Sequence, residues 1–168
     1  MLAGQVASRA AQVTLSAHFS HEEVTRSATA SAKGIDNTVP LGHRYNIGRS
    51  AEMMEHVRSF LGGDPITVTS WFRCDTLNKA IGGSLTSRHP EGLAIDWKPT
   101  VLSLENAFAN IAASLLPFDQ LILEGTKDGA GWIHIGLSTR KPRRQVLRAE
   151  GDVLGGPMMF HHVRDTDN

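Results

Sequence analysis

The stretch GLAIDW, Gly92 to Trp97, is apolar at every side-chain position except Asp96. Leu93, Ala94 and Ile95 have the composition of a strand running into a core, which carries the carboxylate away from water. An unpaired buried carboxylate costs several kcal/mol, on the order of a small domain's whole stability margin. Any fold open to this chain must therefore set positive charge or strong donors against Asp96. Nearby in sequence stand His89, Arg88 and Arg73. His89 precedes Pro90, which biases it toward an extended conformation, and Gly92 lets the chain turn into the strand.

A second strand repeats the pattern. In GWIHIGL, alternation sends Ile133, Ile135 and Leu137 to one face and Trp132 and His134 to the other. In GLAIDW, Leu93, Ile95 and Trp97 share one face while Ala94 and Asp96 share the opposite one. Asp96 and His134 are thus each the polar member of a strand whose other face is core. With His89 they make two imidazoles and one carboxylate, the three protein ligands that a catalytic zinc takes while a fourth position stays open. A divalent cation would also supply the charge that Asp96 requires. A plainer reading of the same residues stands beside it. The chain has eight histidines, a lone His beside a strand is commonly just hydrogen-bonded, and Asp96 can pair with Arg88 or Arg73 instead.

The rest of the chain reads as one α+β domain. Ser20 and Glu23 have capping-box spacing and open a helix expected to close at Gly34. Met53, Met54, Val57, Phe60 and Leu61 recur at helical intervals in a second helix that stops at Gly62-Gly63. Ile66 to Phe72 alternates as a strand, DTLNKAIGG makes a short helical turn, and Ser103 caps an amphipathic helix. FDQLILEG, GWIHIGL and RRQVLRAE follow as three strands, the first two joined by the hairpin loop GTKDGAG. Helices first and sequential strands last favour a small antiparallel or mixed sheet with helices over a doubly wound fold. Residues 1–14 are expected to be a flexible arm, 15–150 the domain, and 151–168 a polar tail in which His161 and His162 are bystanders.

Composition then removes several functions. Seventeen Lys and Arg balance seventeen Asp and Glu, whereas a nucleic-acid binder carries a basic excess. The local run Arg140, Lys141, Arg143, Arg144 and Arg148 is expected to be a solvated face. With Cys74 alone, neither an intramolecular disulfide nor a Cys-rich zinc module is possible. No apolar run reaches membrane-spanning length, and MLAGQVASRAAQV lacks the charged and apolar regions of a secretory signal. The expectation is a monomer made in the cytoplasm that reaches any external substrate only after release.

Ser87, His89, Gly92, Ala94 and Asp96 match the S-x-H-x-x-G-x-A-x-D signature of zinc D-alanyl-D-alanine carboxypeptidases and the related peptidoglycan endopeptidases. Upstream, Ser70, Phe72, Arg73 and Asn78 resemble the family's S-G-[YF]-R-S-x-x-x-N segment, and Trp132-Ile133-His134 resembles its closing W-x-H. The resemblance runs from about Leu15 to Leu147. It implies the fold shared with the hedgehog domain, one zinc on the open sheet face bound by His89, Asp96 and His134, and a peptidoglycan stem peptide as substrate. It also implies that Arg73 holds the substrate carbonyl or a carboxylate, and that Ser87 is a donor to substrate or to the ligand shell. The missing signal then suits a phage-type lysin, with a bacterial wall-remodelling carboxypeptidase as the second expectation.

Three positions depart from the pattern. Trp71 stands where the family has Gly, either as an added cleft wall or as packing, and Cys74 replaces a Ser. Many relatives place an acidic general base three residues before the last His, and here that residue is Gly131. Its loss keeps a second reading in play, a zinc-binding module of the same fold without turnover. If there is turnover, the base must be Glu124 or Asp128. Should Leu121 and Leu123 face the core, Ile122 and Glu124 share the face of His134, so Glu124 is the expected base.

Overall fold

A computed structural model describes residues 14–126, 131–151 and 159–163. The expected arm and the hairpin loop with Asp128 therefore lie outside the described residues, apart from the outermost residues of each. The chain runs α1 (His21–Thr25), α2 (Ala28–Lys33), a 3-10 turn (Leu41–His43), α3 (Arg44–Phe60), β1 (Ile66–Ser70) and α4 (Asp75–Ala80). A second 3-10 turn (His89–Glu91), β2 (Ala94–Pro99), α5 (Leu104–Ala113), β3 (Gln120–Thr126), β4 (Gly131–Gly136), β5 (Gln145–Gly151) and β6 (Met159–His162) complete it. The six strands form one sheet in the order β1-β2-β4-β3-β5-β6. Every pairing is antiparallel except β3 with β5, so the sheet is mixed. The fold class is α+β, as the order of elements implied.

The expected first helix is two. Ser20 accepts from the Glu23 amide while the Glu23 carboxylate accepts from the Ser20 amide at 2.8 Å, so the capping box forms. Gly34 closes α2 at φ 61°. Between them Arg26 leaves helical geometry, and its guanidinium donates to the Val68 carbonyl of β1 at 3.1 Å. Ser27 then caps α2 by accepting from the Ala30 amide at 3.2 Å. A tertiary contact to the sheet thus wins over continuation of the helix.

α3 lays Ile47, Ala51, Met53, Met54 and Val57 against one face of the sheet, where Ile95, Trp97, Leu121, Leu123, Ile133 and Ile135 complete the main core. Burying each such side chain contributes roughly 1.5–3 kcal/mol. On the opposite face, Ile122, Leu147 and Ala149 make a smaller apolar cluster beside the polar residues. β6, from the segment expected to be a polar tail, pairs with β5 as an edge strand. The basic run is more than a solvated face. Arg144 donates to the Ser114 carbonyl at 2.7 Å and to those of Leu116 and Ala112, closing the C-terminal end of α5. Arg143 holds Asp119, and Arg148 meets Glu105 with two bonds of 2.7 Å.

Candidate metal centre

Register brings the polar residues together. β2 and β4 pair so that Asp96 lies opposite His134, and β3 and β4 pair so that Ile122 lies opposite His134 and Glu124 opposite Trp132. One sheet face therefore carries Asp96, His134 and Glu124 side by side. His89 reaches the same point from the 3-10 turn before β2. The expected extended conformation at His89 does not occur. The turn is closed instead by Glu91 and Gly92 amides donating to the Arg88 and His89 carbonyls, and Gly92 then enters the strand at φ 71°.

His89 is fully buried, with Asp96 6% and His134 8% exposed. His89 Nε2 lies 3.2 Å and His134 Nδ1 2.8 Å from the same Asp96 Oδ1. The imidazole centroids are 5.1 Å apart, and one ligand atom from each of the three residues falls within 4.8 Å of the others. The other ring nitrogen of His89, Nδ1, sits 2.5 Å from the Trp71 carbonyl oxygen. A carbonyl only accepts, so Nδ1 carries the proton and Nε2 presents its lone pair to the site. Burial pushes the His89 imidazole below its ordinary range against the opposing pull of Asp96. With Nδ1 held by the carbonyl, Nε2 is the atom that His89 turns to Asp96 Oδ1. The donor set gathered there, nitrogen, nitrogen and carboxylate oxygen, is one that zinc accepts. Burial works to raise the Asp96 carboxyl, but His89 and His134 outweigh it and hold Asp96 well below the usual carboxylate range.

Arg73 is drawn in from just beyond β1. Its Nη2 donates to Asp96 Oδ2 at 3.1 Å, leaving Oδ1 to the imidazoles, while its Nε is buried without a partner among the described residues. Its side chain is 15% exposed, so Arg73 is not a surface residue. Arg88, the other candidate partner of Asp96, pairs with Glu91 at 2.6 Å. The Ser87 hydroxyl accepts from the His89 amide at 3.3 Å. Glu124 is partly buried, and burial first, then the Asp96 carboxylate, push it up to about 7 against the pull of His134 and Arg73.

The departures also find their places. Trp71 is fully buried, edge-on to Phe19, with its indole donating to Ser50 Oγ at 2.9 Å. It is packing, not a cleft wall, and its backbone carbonyl orients His89. That carbonyl left no signal in the sequence. Cys74 caps α4, its Sγ accepting from the Leu77 amide at 3.4 Å in the manner of the Ser it replaces. Gly131 has no room for a side chain, because a Cβ there would stand 2.5 Å from the Glu124 carbonyl oxygen.

Buried imidazoles and a carboxylate on one face of a mixed α+β sheet, with a carboxyl of raised pKa beside them, form a group that could hold a metal ion. Residues 17–136 match the family peptidase M15, and the chain belongs to that family of zinc D-Ala-D-Ala carboxypeptidase-like peptidases. A search among curated proteins finds no match.

Proposed function

We propose that the protein is a zinc metallopeptidase that hydrolyses a peptide bond of peptidoglycan stem peptides, and that it serves as a phage-type lysin. The observation that carries the reading is the buried His89, Asp96 and His134 group with Glu124 on the same sheet face. His89 through Nε2, His134 through Nδ1 and Asp96 through Oδ1 would hold one zinc. Zinc held there supplies a Lewis acid to the scissile carbonyl and the attacking water. Glu124 takes a proton from that water and returns it to the leaving amine, a task suited to a carboxyl whose pKa lies near 7. Arg73 turns its remaining donors to the carbonyl oxygen as negative charge develops there. Ser87, whose oxygen accepts the His89 amide, keeps its hydroxyl proton for a substrate acceptor.

Mass spectrometry of purified peptidoglycan digested with the zinc-loaded protein tests this reading. Cleavage within the stem peptide is the expected result, and the masses released distinguish loss of a terminal D-alanine from a cut between L-alanine and D-glutamate. Intact stem peptides with zinc bound would make the protein a non-catalytic binding module.

A further inference from the structure

Asn37 belongs to none of the motifs above, yet it is 7% exposed and its amide group makes three hydrogen bonds. Nδ2 donates to the Thr25 and Phe72 carbonyls, both at 3.0 Å, and Oδ1 accepts from the Cys74 amide at 2.8 Å. Two of these three partners flank Arg73. The segment from Phe72 to Cys74 has left β1 and has not entered α4, so apart from the Cys74 carbonyl, which accepts from the Asn78 amide at 2.8 Å, no strand or helix ladder satisfies its backbone. Phe72 donates to the Val24 carbonyl at 3.0 Å and Arg73 to that of His89 at 3.4 Å. Asn37 pairs the Phe72 carbonyl and the Cys74 amide, which fixes the backbone on both sides of Arg73.

A guanidinium on a long side chain reaches Asp96 Oδ2 and the space beside it only if its root is held. A displacement of about 1 Å in such a group can cost a hundredfold in rate. We infer that Asn37 is the positioning residue for Arg73, clamping the backbone on either side of it so that the guanidinium stays on the metal face. This rests on the role proposed above for Arg73. An amide serving stability alone would have no special link to Arg73.

The test compares wild type, Asn37→Asp, Arg73→Lys and the double variant, all loaded with zinc and assayed on purified peptidoglycan. Asp keeps the size of Asn and an acceptor for Cys74 but cannot donate to Thr25 and Phe72. Asn37→Asp is expected to retain zinc and to lower kcat roughly tenfold to a hundredfold with little change in KM. In the Arg73→Lys background it should lower kcat no further, although its effect on Tm persists in both backgrounds. Equal kcat losses in the two backgrounds, or a wild-type kcat in Asn37→Asp, would overturn the inference. A second readout does not depend on turnover: the NMR signal of the Arg73 Nε–H, identified by its disappearance in Arg73→Lys. It should shift in Asn37→Asp, and an unmoved signal overturns the inference. A moved signal together with wild-type turnover in Arg73→Lys would leave the clamp standing and sink the catalytic role of Arg73. If Asn37→Asp does not fold, Asn37→Ser, which also loses most of the clamp but adds no charge, carries the same comparisons.

Discussion

Glu124 shows how much a single residue's surroundings decide. Its carboxyl would titrate near 4.5 in an unfolded chain and is pushed up to about 7 by burial beside Asp96. Glu124→Gln should keep its zinc and lose about a hundredfold to ten-thousandfold in turnover on peptidoglycan, since the amide cannot accept a proton. With Glu124 as the proposed base, its ionised form is the active one, so the acid limb of wild-type kcat/KM should fall between about 4.5 and 7, a bound cation pulling it down from the upper value. That limb should be absent in Glu124→Gln. The same shift has a stability consequence in metal-free protein. A folded pKa above the unfolded one stabilises fully below 4.5, and that contribution is lost as pH rises through about 7. Glu124→Gln should therefore gain stability over wild type above pH 7, by on the order of 1–3 kcal/mol, and gain nothing near pH 4. Melting curves of the stripped proteins across pH check the sign. For Arg73→Lys the expected outcome is full zinc content with turnover down about a hundredfold to a thousandfold, because the ammonium lacks the forked donors. Metal analysis beside the rate separates it from a ligand. Strand alternation, with its strict period of two, assigned Asp96 and His134 to the polar faces of their strands, and the register sets them opposite each other. His89 arrives instead from a 3-10 turn that alternation does not describe. The sequence was silent on the Trp71 carbonyl behind His89, because a main-chain group has no residue type to read.

Among the elements, the pairing of β3 with β4 carries the most consequence. Gly125 lies opposite Gly131, and the approach is close enough that a Cβ at Gly131 would meet the Glu124 carbonyl. Gly131→Ala should cost on the order of 1–3 kcal/mol by forcing the strands apart, and turnover should fall as Glu124 shifts. Restoring an acid at that position as Gly131→Glu should not rescue Glu124→Gln, since the strand has no space for it; a rescue would show that β4 tolerates the side chain. α4 offers a milder case. Cys74→Ser should match or exceed the wild-type Tm because a hydroxyl is the stronger cap acceptor, while Cys74→Ala should lose about 0.5–1 kcal/mol. The break between α1 and α2 was half legible. Ser27 is a cap residue in plain sight, but the Val68 carbonyl that captures Arg26 is forty-two positions away.

Across the whole molecule, the candidate metal centre joins parts that are remote in the chain: a 3-10 turn, two central strands and the end of an edge strand. Metal binding should therefore act as a clasp on the fold. Zinc at a hundred times its Kd would stabilise wild type by about 2.7 kcal/mol. Asp96→Ala should neither retain zinc nor gain Tm when zinc is added. Full zinc occupancy in that variant would mean the ligands lie elsewhere. Among the described residues no helix is long and apolar enough to cross a membrane, and the three arginines of the basic run that meet α5 and Asp119 act as struts within the domain.

What the sequence determined by itself is what local period and residue chemistry encode: the α+β class, the long helices and their caps, the in-and-out pattern of the central strands, and the residues able to bind a metal. Capping, alternation and φ preference all act within a few residues, so they survive in a single string of letters. Only the tertiary structure decided the strand order and the parallel pairing of β3 with β5. Val146 packs against the main core while Leu147 joins the opposite cluster, so β5 is apolar on both faces and its pattern names no neighbour. Only the fold turned Arg73 onto Asp96, tied His89 to a carbonyl and closed Gly131 to any side chain. Those facts depend on which backbones lie within 3 or 4 Å of each other, and packing of the whole chain sets those distances.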